Sequence, residues 1–453
     1  SGSGIILRIR LGSCGNSREP SHNEYEKRDY GDYRMSDYNV IVVGGRPAGS
    51  TLAARLGQAG LRVLLLERAT MPSLPSASSP IIYASTMRLL DEIGADEAAY
   101  ARNTPKIRRM LNATPGMQTE MRIPMLDGRD YAYAIDRARF DQALWETALR
   151  TVEGRDGVAV TDVLWDGQRV AGVITAAGQT ITADVVVGAD GRFSLIARKV
   201  GAAEYDVHEN YPTSIYYAYW RGAKAFTEPT ALAFGQELGI GYLVMDSADD
   251  TVVIAVEGQS ELLNPEPGRA NEFYEGLIRK YPLLAEVVAD AERVTDVRGM
   301  RRIGNLYRQA GGSGWALVGD AFHQKDPIDG QGIYDAVFTA KMLAHAILDW
   351  QRGGQLWGEA LAAYDAAVRQ HTYPMYGSTL ERVRNSLYEP APAWAATPMR
   401  WLLQDPLTME RFGMMLTRQI DANRVMTPSL MIGALLRGPL RDLSRFLDKE
   451  SKR

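Results

Sequence analysis

Cysteine is almost absent: the one thiol of the 453-residue chain, Cys14, lies in a polar leader. That leaves no intrachain disulfide, no cysteine metal site and no thiol chemistry in the body of the chain. Histidine is nearly as scarce. His22, His208, His323, His345 and His371 are scattered without metal-ligand spacing, so metal catalysis is not expected. The formal net charge is −4, which gives no basic footprint for nucleic acid. No uninterrupted apolar run reaches membrane-spanning length. The expectation is a cytoplasmic chain with no membrane partner, long enough for two or three lobes around a large core, and monomeric or homodimeric.

Residues 1–36 read as a disordered or appended arm. The chain opens Ser-Gly-Ser-Gly, the stretch after Leu11 is polar without periodicity, and Met35 has the look of a natural start.

Three glycine-bearing segments carry most of the information. In the first, the strand-like run Tyr38 to Val43 meets Gly44, Gly45, Arg46, Pro47, Ala48 and Gly49, and a helix pattern runs on to Ala59. A second strand, Leu61 to Leu66, ends in Glu67 and Arg68. This is a βαβ unit with an acid where a ribose diol would lie, and the free amides at the helix start form an anion site for a pyrophosphate. Gly44 serves the tight turn and Gly49 the close packing of helix on strand. Arg46 stands where a second glycine would let the backbone approach the phosphates, and its guanidinium could add positive charge there.

In the second segment, Val185 to Val187 deliver Asp190 into the turn Gly188-Ala189-Asp190-Gly191, which suits a hydrogen bond to a polyol or cofactor hydroxyl. In the third, Leu317-Val318-Gly319 deliver Asp320, and a loop through Pro327, Gly330, Gln331 and Gly332 feeds a helix with Ile333, Val337, Ala340, Ala344 and Ile347 on one face. Amides at that helix start would favour negative charge on a reduced flavin. Together the three segments point to one bound FAD and to redox chemistry performed by it.

From Asp37 to about Leu440 the chain resembles the single-component FAD-dependent monooxygenases of the para-hydroxybenzoate hydroxylase type. The resemblance implies an α/β fold: a Rossmann-like FAD domain of glutathione-reductase type, an interleaved β-sheet substrate domain and a helical C-terminal region. It implies that the first motif holds ADP and that Asp190 and Asp320 serve the ribityl chain. Pro327, Gly330, Gln331 and Gly332 would line the isoalloxazine, Val163 would set its backbone beside the adenine, and Arg137 would be a polar flavin contact. By the same resemblance NADPH or NADH reduces the FAD, O2 adds at C4a, and the hydroperoxide oxygenates an apolar, aromatic or polyketide-like small molecule. The departures are Arg46, Tyr334 where Asn is common, Thr339 where Asp is common, and Arg198 displaced by one residue.

The expected FAD domain comprises 37–110, 131–205 and 296–352, with a substrate sheet over 111–130 and 206–295 and a helical region over 353–453. Within these, 80–93 reads as a helix and 136–152 as a helix capped by Asp136. A meander over 158–187 turns at Asp166-Gly167 and Ala177-Gly178. Alternation puts Tyr217 and Tyr219 on one strand face, as candidate pocket walls, and Tyr216 and Trp220 on the other. His323 is the candidate base toward a phenolic substrate, as the histidine beside a flavin motif. A dehydrogenase, oxidase or saturating reductase would use the same motifs. A halogenase is less expected, because those carry a Trp-x-Trp pair that none of the eight tryptophans supplies, and a non-catalytic flavin-binding protein would retain the motifs without turnover.

Overall fold

The computed structural model describes residues 36–75, 79–114, 117–223, 226–389 and 392–451. The expected arm lies almost wholly outside them. Residues 37–453 form one compact unit.

Two sheets organise it. The first runs Gly311–Gly312, Trp315–Leu317, Thr180–Gly188, Tyr38–Val43, Val63–Leu66, Glu153–Arg155. All of its neighbours are parallel except the first pair. Val40 to Val43 and Val63 to Leu66 are buried on both faces, as unbroken β-branched and leucine runs require. Each such side chain contributes about 1.5–3 kcal/mol by leaving water. The helix Pro47–Gln58 follows at once with proline in its first turn, where no amide is lost to the ladder. The predicted meander is present: Val160–Asp166 and Arg169–Thr175 pair antiparallel and lead into Thr180–Gly188. Gly167 and Gly178 adopt positive φ at its two turns.

The second sheet runs His323–Gln324, Arg298–Arg308, Glu204–Arg221, Thr251–Gln259, Ile240–Asp246, Thr230–Glu237, Arg109–Thr114, Met117–Arg122. Its long central strand separates two cores. Tyr217 and Tyr219 pack with Ile81, Met245, Val253 and Met375 on one face, while Tyr216 and Trp220 pack with Tyr274 and Ile278 on the other. The alternation read from sequence therefore gives the correct faces.

Two expectations shift. Arg298–Arg308, read with the FAD domain, pairs with Glu204–Arg221 in the second sheet, and His323–Gln324 extends the same edge. Over 80–93 the chain first makes the short strand Ile81–Ile82 and turns helical only at Ala84–Asp91, because Ile81 pairs with Ala134 before the helix begins. Asp136 caps Arg137–Leu149 as predicted, accepting from the Arg139 amide at 2.9 Å. Beyond Trp357 the described chain is helical, in Trp357–Val383, Ala396–Leu403, Pro406–Leu416 and Pro428–Ser451.

Candidate functional site

The strand-to-helix turn of the first motif is built as tightly as its glycines imply. Gly44 has φ 110°, and a Cβ there would stand 2.4 Å from the Ala189 carbonyl oxygen. A Cβ on Gly49 would stand 1.8 Å from the Gly44 oxygen, so no other residue fits without moving the backbone. Gly45 has a different reason for its size: a Cβ would meet the Trp145 ring at 2.4 Å. Its amide donates to Glu67 Oε2 at 2.8 Å, while Glu67 Oε1 accepts from Ala69 at 3.0 Å. A carboxylate has about four acceptor positions, so the buried Glu67 holds the turn and still has capacity for a hydroxyl. Arg68 is exposed.

Arg46 heads the helix, but its guanidinium is engaged sideways. Nη1 lies 2.7 Å from Asp141 Oδ2 and 3.1 Å from the Ser73 carbonyl, and Nη2 donates to Ser73 Oγ at 2.9 Å. Arg137, nearly fully buried, also pairs with Asp141 at 3.1 and 3.0 Å. With Glu67 on the Gly45 amide and Asp141 between Arg46 and Arg137, two carboxylates face two cations around the first glycine turn. The sequence held a signal for Asp141, since it lies four residues beyond Arg137 on the same helix face.

Asp190 also supports the chain that follows its own turn. Its carboxylate accepts from Ser194 Oγ at 2.5 Å and from the amides of Leu195 and Ile196 at 2.6 and 3.2 Å, closing the start of helix Leu195–Lys199. Burial raises its carboxyl against those hydrogen bonds. Asp320, by contrast, is partly open and faces Arg192 Nε at 3.1 Å. Val163 is a buried strand residue whose amide donates to Asp162 Oδ1 at 2.9 Å.

In the third motif Thr339 Oγ1 accepts from the Gly319 amide at 3.0 Å, so threonine at this departure supports the turn directly. Pro327 opens a short 3-10 turn, and Gly330 has φ 63° with a Cβ that would meet Ile81 Cγ2 at 2.4 Å. Gly332 starts the helix Gly332–Gln351, which has no side-chain cap. Gln331 is fully buried and turns away toward the C-terminal helices: Nε2 donates to the Leu416 carbonyl at 2.9 Å and Oε1 accepts from Arg418 Nε at 2.8 Å.

Sequence reasoning missed the charged cluster behind this loop. Asp335 pairs with Lys325 and, at 2.8 Å, with Arg418. Burial pushes the Asp335 carboxyl up, yet the two cations outweigh it and hold it down to about 2. His323 belongs to the same buried layer and is not placed as a base. Its ring stacks on Tyr307 at 4.2 Å, neither ring nitrogen has a hydrogen-bond partner among the described residues, and burial lowers its pKa to about 3. A loop histidine looked accessible in sequence, but pairing of Tyr307 with His323 draws it into the core.

Tyr217 and Tyr219 do face the FAD-binding half, as buried walls. Tyr217 donates to the Pro75 carbonyl at 3.1 Å and Tyr219 to the Ile135 carbonyl at 2.9 Å, so the phenol protons expected for a ligand are committed to main chain. On the same face lies Glu257, an isolated acid in the apolar strand Thr251–Gln259. That isolation was the signal that could have found it.

A glycine turn at the carboxyl end of a parallel strand, followed by a helix without a side-chain cap, fits a dinucleotide pyrophosphate. Glu67 lies buried beside that turn, and Asp320 lies partly open beside Arg192. Fold and site together define an FAD-dependent enzyme of the oxidoreductase class. The chain belongs to the FAD binding domain family, which it matches over residues 37–373. It is 26% identical over 356 residues to a tryptophan 2-halogenase of Chondromyces crocatus, covering 74% of this chain and 66% of that one. It is 27% identical to a digeranylgeranylglycerophospholipid reductase of Methanocella arvoryzae (74% and 83%) and 24% identical to ubiquinone hydroxylase UbiM of Neisseria meningitidis (80% and 80%). Among solved structures, flavin-dependent brominase Bmp2 superposes with a TM-score of 0.74 at 20% identity, covering 90% of this chain and 99% of that one.

Proposed function

We propose that the protein is an NAD(P)H- and O2-dependent FAD monooxygenase that hydroxylates or epoxidises an apolar, aromatic or polyketide-like small molecule. The observation that carries this reading is the apolar sheet face beside residues 325–332, here called the flavin loop, where Ile81, Met245, Val253, Ala255 and Met375 cluster with Tyr217. When bound, the reduced FAD would supply the activated oxygen; the chain's own task is to position the target carbon and exclude water. Gly44 to Gly49 would hold the pyrophosphate at the uncapped start of the helix, with the Arg46 guanidinium at its edge. Glu67 would take the ribose diol and Asp320 the ribityl chain, while Pro327, Gly330 and Gly332 would line the ring system. No side chain identified here is an effective base at neutral pH in the place assigned to His323. That suits a reaction in which the protein supplies a dry, shaped cavity.

Halogenation is the chemistry named for two of the proteins compared, but the Trp-x-Trp pair is absent from this sequence. Reduction, named for a third, would use the same FAD contacts. Oxygen stoichiometry separates the readings. A monooxygenase consumes one O2 per NAD(P)H with substrate present and releases little hydrogen peroxide. A reductase turns over its substrate without oxygen, and a halogenase gives product only with halide.

A further inference from the structure

The helix Pro428–Ser451 carries two opposed faces. Ala434, Arg437, Gly438, Arg441 and Asp442 form the inner one. Ala434 is fully buried, and a Cβ on Gly438 would stand 2.2 Å from Trp401 Cγ, so helix Ala396–Leu403 packs directly on this side. Charge is spent here as well. Arg437 donates to both oxygens of the buried Asp405 at 2.9 and 3.0 Å, and Arg441 donates to one of them at 2.7 Å. Asp442 accepts from Arg400 at 2.7 Å and from Trp401 Nε1 at 2.8 Å.

The outer face is apolar and open. Ile432, Leu436, Leu440, Leu443 and Leu447 are between 56% and 70% exposed. At 3.6 residues per turn they fall within a stripe about 80° wide, opposite the inner face. A stripe this narrow has the form of a helix-to-helix seam, whereas the face that packs a helix on a core is broader. Leu436 and Leu443 are seven residues apart, as are Leu440 and Leu447, which is the heptad spacing of such a seam. Pro439 donates no backbone bond within the helix, which limits the seam to a short crossing.

Charge and area select the occupant. Between Pro428 and Ser444 the charged residues are Arg437, Arg441 and Asp442, all engaged on the inner face. The stripe therefore has no basic rim for anionic lipid headgroups. For the same reason no like charges meet when this face approaches its own copy across a twofold axis. The open area amounts to about three whole aliphatic side chains on each copy, so two faces together approach the order of 1,000 Å² at which specific pairs begin.

We propose that the outer face of Pro428–Ser451 is the docking site for a second copy of this chain, the two helices crossing through Ile432, Leu436, Leu440, Leu443 and Leu447. The small area makes the homodimer concentration-dependent. The pairing is independent of the chemistry at the flavin loop.

The test is sedimentation equilibrium of the FAD-loaded full chain over a range of concentrations. The mass should rise from one chain toward two. Leu440→Glu combined with Leu443→Glu should weaken association at least about a hundredfold, because four carboxylates then meet across the seam, with flavin content unchanged. Leu440→Lys combined with Leu443→Lys should also stay single, and a mixture of the glutamate and lysine variants should recover the mass of a pair. Should the glutamate variant fail to fold, Leu440→Ala combined with Leu443→Ala removes the same contacts without charge and should weaken association about tenfold. A wild-type mass of one chain at every concentration, or a pair that survives these substitutions unchanged, would overturn the proposal. So would a single chain that floats with vesicles of phosphatidylcholine and phosphatidylglycerol and ceases to do so in the glutamate variant, since lipid would then be the occupant.

Discussion

The two halves of this molecule differ in how they bury most of their acids. In the parallel-sheet half, Glu67 and Asp190 spend their oxygens on amides within six residues or on the adjoining glycine turn, and Asp141, paired with the remote Arg46, is the exception. In the half formed by residues 323–332, the second sheet and the C-terminal helices, buried acids meet side chains distant in sequence: Asp335 with Arg418, Asp329 with Arg382, Asp326 with Thr213. The first half is thus shaped chiefly by local chain geometry. The second exists only once remote segments have docked, and it is where a substrate would be selected. A constant cofactor cradle joined to a site set by long-range packing is one physical route by which a single fold can serve several chemistries.

The sharpest way to break the local half is Gly49→Val. Its Cβ would stand 1.8 Å from the Gly44 oxygen, so the helix must move off the strand. The expected outcome is loss of both flavin absorbance and soluble folded protein, read by spectroscopy and thermal melting. Normal FAD content would show that the turn tolerates far more than its geometry allows.

Next in size is Asp335→Ala, which probes the long-range half. It leaves Lys325 and Arg418 buried without their anion, at a cost of about 3–5 kcal/mol in denaturant unfolding. A loss under 1 kcal/mol would mean that water reaches this cluster.

Asp320→Ala should separate cofactor binding from fold. The side chain is partly open, and loss of a charge-assisted hydrogen bond would weaken FAD by about 1.5–3 kcal/mol, one to two decades in Kd, with the melting midpoint of the apoprotein little changed. An unchanged Kd would reject the ribityl role.

A further effect concerns pH. Folded His323 stays neutral down to about pH 3, while in the unfolded chain it takes up a proton near pH 6.5. The unfolded state therefore binds more protons between those values, so stability is complete above pH 6.5 and falls as pH drops toward 3. His323→Leu should flatten that part of the slope in denaturant titrations at several pH values, without changing turnover at neutral pH. Lost turnover in the variant would return His323 to the chemistry.

Much of the local half was legible before the fold was known. Strand runs, the Asp136 cap and the meander turns depend on neighbours within a few residues, and the glycine motifs on backbone sterics. The remainder was not, for a common reason. That Gln331 would turn toward Leu416 and Arg418, that His323 would be drawn under Tyr307, and that Asp326 would meet Thr213 are consequences of contacts well beyond the reach of a local turn. For Asp190 the sequence showed a carboxylate in a glycine turn but not that it would also close a helix start, which depends on the amides of Leu195 and Ile196.

The central claim, that the flavin loop and the apolar sheet face together direct an oxygen atom into a substrate, is tested most directly by mass spectrometry of the product formed under isotopically labelled O2. Incorporation of one labelled oxygen atom per molecule of product, dependent on NAD(P)H, is the result expected. A substrate that is turned over with no labelled oxygen in its product would contradict the claim while leaving the FAD-binding fold intact.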